Sequence, residues 1–247
     1  MLKKDLTLRS YFNLLEACAK PGCPVCRLSE QVVNRYLDAI MYENVNDPGT
    51  REQLHRSLGY CSEHAWRLPD TGGGASLGIA IIYRDLLRRA MGELENARFA
   101  PANKLSLRRA QEFLDPEKPT MATEAVVRRL QPEAECPACA HRDMMETIAL
   151  TAMLNALAQN DERMQAALKT SVGLCLPHLR RALELTRDET AFENLLAMTK
   201  EHLATLANEL DEFIRKSDYR FNKDGFGPEG DSWRRALAWM VGAKGVR

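Results

Sequence analysis

Apolar positions recur at helical spacing along most of the chain, and no stretch alternates apolar and polar residues with the period of two expected of a strand. Leu28, Val32, Val33, Tyr36, Leu37, Ile40 and Met41 form one stripe. Met145, Ile148, Ala149, Ala152, Met153 and Ala156 form a second, and Phe192, Leu195, Leu196, Leu203, Leu206, Leu210 and Phe213 a third. Each stripe is one face of a long helix that needs another helix to cover it. The pattern predicts an all-α protein.

Short cysteine motifs stand ahead of the first two stripes. Cys23-Pro-Val-Cys26 is followed, after 34 intervening residues, by Cys61-Ser-Glu-His64. Cys136-Pro-Ala-Cys139 is followed, after 35, by Cys175-Leu-Pro-His178. The two CPxC motifs are 113 positions apart and the two CxxH motifs 114, with Gly59-Tyr60 before one CxxH and Gly173-Leu174 before the other. This recurrence predicts an internally duplicated chain. In each repeat the expected order is a lead-in helix, CPxC opening a long helix, a short helix, CxxH opening another, and a final long helix. The expected boundaries are a first metal-binding repeat over 1–100, a connector over 101–120 containing Pro116 and Pro119, a second repeat over 121–216, and an unduplicated aromatic tail over 217–247. Asp231 is expected to cap a short tail helix carrying Trp233 and Trp239. Thr71-Gly72-Gly73-Gly74 lacks the Lys-Ser/Thr of a phosphate-binding loop and reads as a plain loop.

Each repeat offers three thiols and one imidazole, the donor set that wraps a tetrahedral metal ion. The expected quartets are Cys23, Cys26, Cys61 and His64 in the first repeat, and Cys136, Cys139, Cys175 and His178 in the second. Pro24 and Pro137 suit the first position of a helix, which places the ligands at helix N-termini. Three thiolates and a neutral imidazole around Zn²⁺ carry a net charge of −1, which helix N-termini favour by roughly 0.3–1 kcal/mol each. A four-ligand shell leaves no position for a substrate water, so the sites are expected to be structural and catalytic residues are expected to be none. Two zinc ions per chain are the expectation, each contributing on the order of 10–16 kcal/mol of apparent binding energy.

Two other chemistries compete for the same residues. Cys18, Cys23, Cys26 and Cys61 spell C-x₄-C-x₂-C…C, a spacing also found around iron–sulfur clusters. Gln131 stands at the position matching Cys18 in the second repeat, so only the quartets are shared, and Cys18 reads as a core residue beside Tyr11, Phe12, Leu14 and Leu15. A zinc–thiolate redox sensor is the other alternative, since a CPxC at a helix start lowers a thiol pKa. The βαβ setting of a thioredoxin-like protein is missing from the pattern. His141 lies one residue too far from Cys139 for haem attachment, His55 and His202 are isolated on helices, and Glu63 needs no role beyond the first turn of its helix.

Composition narrows the partners. Apolar residues make up 45% and charged residues 28%, ordinary for a globular protein, and 34 basic residues balance 34 acidic ones. A neutral chain is a poor non-specific ligand for nucleic acid or an anionic membrane. The N-terminus has no apolar run of signal-peptide length, so the expected location is the cytoplasm, where seven cysteines stay reduced.

The paired CPxC and Gly-x-Cys-x-x-His motifs, together with Phe213-Ile-Arg-Lys-Ser-Asp-Tyr-Arg-Phe221 and Asp231-Ser-Trp-Arg-Arg-Ala236, resemble a bacterial family of unknown function. Some of its members carry the loose label of ABC transporter substrate-binding protein. The resemblance spans nearly the whole chain, with Ser217 where the pattern leads one to expect a His. It implies no activity. The reading of the residues is a zinc-stabilised interaction or assembly module with a protein partner, rather than an enzyme.

Overall fold

The computed structural model describes residues 2–72, 75–98, 121–221 and 225–244. Among these residues all regular structure is helical and there is no strand. The helices are α1 (Leu2–Cys18), α2 (Pro24–Ala39), α3 (Pro48–Arg56), α4 (Ser62–Ala65) and α5 (Ala75–Glu95), then α6 (Met121–Arg129), α7 (Pro137–Ala158), α8 (Glu162–Thr170), α9 (Leu176–Leu185), α10 (Glu189–Ser217) and α11 (Ser232–Val241). A π-helical turn, Ile40–Asn44, prolongs α2, and 3₁₀ turns occupy Leu68–Asp70 and Pro228–Asp231. The all-α expectation holds, and among the described residues α1–α5 and α6–α10 follow a similar order of helices. The connector over 101–120, with Gly73 and Gly74, lies outside the described residues.

Side-chain caps start three of these helices. Asp47 accepts from Thr50 N, Asp161 from Met164 N and Asp188 from Ala191 N, at 2.7–2.9 Å. Each satisfies an amide that the helix itself leaves unpaired. Asp231 departs from expectation. It stands immediately before α11, but its side chain makes no cap hydrogen bond and instead pairs with Arg235 at 2.7 Å. The preceding 3₁₀ turn sets Asp231 at φ −109°, ψ 6°, outside the extended backbone that aims a capping side chain at the first amides.

The helices group into two compact units, Met1–Asn34 with His141–Arg247, and Arg35–Ala140. In the first, Leu14, Val25, Leu150, Met153, Leu157 and Met164 lose all solvent contact in one continuous core. Each such side chain contributes roughly 1.5–3 kcal/mol. Helix α1 packs on α8, where the Tyr11 hydroxyl donates to Asp161 Oδ1 at 2.9 Å. Helix α11 packs on α9 and α10, and its Trp239 lies against the core. In the second unit Leu37, Leu54, Leu68 and Ile82 are the buried centre. Helix α5 approaches the π-turn at Gly78, where a Cβ would lie 3.0 Å from Val45 Cγ2 and would press on that side chain. Among the described residues no helix is long and apolar enough to cross a membrane.

Candidate metal centres

All four motif-opening cysteines sit where a helix begins. The carbonyls of Cys23, Cys61, Cys136 and Cys175 accept the first helical hydrogen bonds, from Arg27, Ala65, Ala140 and Leu179 at 2.8–3.2 Å. Pro24 and Pro137 each stand as the first residue of a helix, as their fixed φ favours. Cys61 and Cys175 hold extended backbone, with φ −62° and −69°, and their thiols make no cap bond to the helix they start. Neither sulfur is committed to capping its own helix. Gly173, at φ +69°, precedes Cys175 by two residues and passes so close to His202 that a Cβ would lie 2.7 Å from its Nδ1.

The eight expected ligands come together as two quartets, but not in the expected pairing. The first centre joins Cys23 and Cys26 of one CPxC to Cys175 and His178 of the distant CxxH. The second joins Cys136 and Cys139 to Cys61 and His64. Each CPxC thus meets the CxxH of the other half, which corrects the quartets read from sequence order. Helix length supplies the reason. Through α2 and its π-turn the chain travels on the order of 30 Å from Cys26, and the nine residues of α3 span only about 14 Å. The 22 residues of α7 and nine of α8 impose the same geometry on Cys139 and Cys175.

Within each quartet the donor atoms all lie within 4.8 Å of one another. In the first centre His178 Nδ1 is 3.5, 3.4 and 3.2 Å from the sulfurs of Cys23, Cys26 and Cys175, and the Cys26 and Cys175 sulfurs are 3.6 Å apart. In the second, His64 Nδ1 is 3.5, 3.4 and 3.3 Å from the sulfurs of Cys136, Cys139 and Cys61, and the Cys61 and Cys139 sulfurs are 3.7 Å apart. Tetrahedral zinc with bonds of about 2.3 Å to sulfur and about 2.0 Å to nitrogen has S···S edges near 3.8 Å and S···N edges near 3.5 Å. These four edges in each centre match that tetrahedron within a few tenths of an ångström, and the other two are no longer than 4.8 Å. Both quartets fit one metal ion each.

Electrostatics point the same way. Burial and the neighbouring thiols push the Cys23 and Cys139 thiols above their ordinary values. Without a cation these two thiols resist deprotonation; a divalent ion reverses the balance and displaces their protons. In the first centre His178 Nε2 faces Glu146 Oε1 at 3.2 Å. Glu146 is buried, also accepts from Ser29 Oγ at 2.7 Å, and is held below its usual range because His178 and Ser29 outweigh the cost of burial. Burial disfavours a charged His178 ring, but Cys26 and Glu146 outweigh it and hold the imidazole up, to about 9. A carboxylate behind a ligating imidazole fixes the ring and its tautomer. Sequence reasoning missed Glu146, although a carboxylate in register with Ala149, Leu150 and Met153 on the buried side of a helix was a readable signal.

The remaining candidates fall into place. Cys18 is buried in the core and belongs to neither quartet. His55 pairs with Asp85, and His202 lies 3.2 Å from the Lys169 carbonyl. The Glu63 carboxylate pairs with Arg67 at 3.2 Å.

The sequence model of the family of unknown function DUF6062 matches residues 12–246. The chain belongs to this family. It is also 25% identical, over 232 residues, to an uncharacterized 23.9 kDa protein in the xynA 3′ region of Caldicellulosiruptor sp. (strain Rt8B.4), covering 94% of this chain and all of that one. No solved structure matches the chain.

Proposed function

We propose that this family member holds two structural zinc ions, and that the rigid helical body they pin serves protein interaction or assembly. The observation that carries the metal assignment is the match of four donor-to-donor distances in each quartet to the edges of a single-ion tetrahedron. A cluster would spread its ligands over more than one iron, so donor atoms gathered within 4.8 Å favour one ion. Zinc fits the thiolate-rich donors, and a closed shell gives it a folding role rather than a catalytic one. The absence of a disulfide among the seven cysteines suits a reducing compartment such as the cytoplasm. The repeated helix order fits internal duplication, with the CxxH motifs exchanged between the halves.

The interaction role draws on α11. Its inner side is committed to the core through Trp239, while Trp233, Leu237, Met240 and Val241, spaced i, i+4, i+7 and i+8, are exposed on the other. An exposed apolar face of that kind suits a protein partner. Metal analysis with a visible spectrum tests the assignment: about two zinc ions per chain and a colourless solution are expected. A brown protein carrying iron and acid-labile sulfide overturns it. Sedimentation of Leu237→Glu against the parent tests the surface, since loss of association with zinc content unchanged supports it and unchanged association removes it.

A further inference from the structure

The two centres share a donor set but differ in cover. In the first, Cys26 and Cys175 are each only 2% exposed. The end of the tail covers them. A Cβ at Gly242 would lie 3.5 Å from Cys26 Sγ and 3.8 Å from Cys175 Sγ, and the Ala243 amide donates to Cys26 Sγ at 3.4 Å. Gly242 turns the chain over the sulfurs at φ +85°, ψ −177°, a backbone region kept for glycine. Trp239, held against the core one turn earlier, anchors the approach.

The corresponding pair of the second centre is less buried. Cys61 and Cys139 remain partly exposed. They occupy the same motif positions as Cys175 and Cys26, the first cysteine of CxxH and the second of CPxC. The covered pair has its sulfurs 3.6 Å apart and the open pair 3.7 Å. Donor types and sulfur spacing are thus matched in these two pairs, and their access to solvent differs. The end of the tail thus shields the Cys26 and Cys175 pair.

We propose that the second centre is a peroxide-responsive switch in which Cys61 and Cys139 form a disulfide and that centre releases its zinc, while the first centre stays loaded. The inference rests on the zinc assignment above. One thiolate attacks a peroxide oxygen; the O–O bond breaks, giving a sulfenic acid and hydroxide. The second thiolate attacks the sulfenic sulfur, the S–S bond forms and hydroxide leaves. Two thiolates, one H₂O₂ and two protons give one disulfide and two waters, each sulfur losing one electron. Cys136 and His64 alone cannot complete a zinc shell, so the ion dissociates. Thiol oxidation follows access as well as thiolate character, which directs the oxidant to the open pair.

The test uses the intact two-zinc protein treated with hydrogen peroxide, with zinc release followed by a chromophoric chelator and thiols mapped by alkylation and peptide mass spectrometry. One zinc is expected to leave at least about tenfold faster than the other, together with a Cys61–Cys139 disulfide and with Cys26 and Cys175 still reduced. Dithiothreitol and zinc should restore the second ion. Release of both ions at one rate, earlier oxidation of Cys26 and Cys175, or zinc loss without the disulfide overturns the proposal. A chain ending at Val241 that still binds two zinc ions should release both at rates within about threefold; a first centre that stays slow there removes the tail from the explanation. Protein purified without zinc would instead count against the metal assignment itself.

Discussion

Glu146 Oε1 lies 3.2 Å from His178 Nε2, while the Nδ1 of the same ring faces three thiols. The imidazole is therefore held from behind in the orientation that ligation requires. The position matching Glu146 in α2 is Val33, so the second centre has no carboxylate from the equivalent place. Glu146→Ala should lower zinc affinity of the first centre by roughly 10–100-fold and leave the second unchanged. Competition with a graded series of chelators reads the two ions separately. Equal weakening of both, or of neither, would count against Glu146 as the orienting group.

The exchanged pairing makes a prediction that sequence order does not. Cys26→Ser with Cys175→Ser disables one centre, so the double variant should keep about one zinc. Cys26→Ser with Cys61→Ser disables both and should keep none, even though those two residues lie in the same half of the sequence. Native mass spectrometry gives the counts. The second variant should also be the less stable, since each lost ion removes on the order of 10–16 kcal/mol of apparent binding energy. The reverse zinc counts would restore the pairing by neighbouring motifs.

The eight candidate ligands were legible because cysteine, proline and histidine at fixed spacing leave a mark that survives without knowledge of the fold. Their pairing was not. It depends on where α2 and α7 deliver the chain, and helix length acts through space rather than through motif spacing. The order of helices followed from the apolar stripes, since each long helix buries one face. The tail's place over Cys26 had no local signal, because Ala243 and Cys26 are 217 positions apart and meet through a backbone amide. Trp239 and Trp233 look alike in the sequence, yet one is packed inward and the other is 45% exposed.

Cys18 separates core packing from ligation. Its thiol is buried and, mainly through burial, is pushed up to about 11. That suits a neutral packing group better than a thiolate donor. Cys18→Ala should retain both zinc ions and cost roughly 1 kcal/mol in a denaturant titration, the scale of a small deletion in a core. Metal loss comparable to that in Cys26→Ser would show that the core reading of Cys18 is wrong.

The tail is also fastened by charge. Lys216 near the end of α10 contacts Glu229 at 2.7 Å, and the Gly227 amide donates to the same carboxylate at 2.8 Å. The Gly227 amide and Lys216 together hold Glu229 down, to about 2, from an ordinary value of 4.5. Because the folded value is depressed, this contribution is complete above about 4.5 and is lost as pH falls from there towards about 2. Thiolate ligands also take up protons in acid, so the comparison must be with a variant lacking only the clasp. Glu229→Gln should be less stable than the parent at pH 6, with the difference shrinking steadily below about 4.5. Thermal melts at several pH values, with tryptophan fluorescence reporting the tail, provide the measurement. A difference that stays constant down to pH 3 would mean that the carboxylate's charge is not what holds the tail in place.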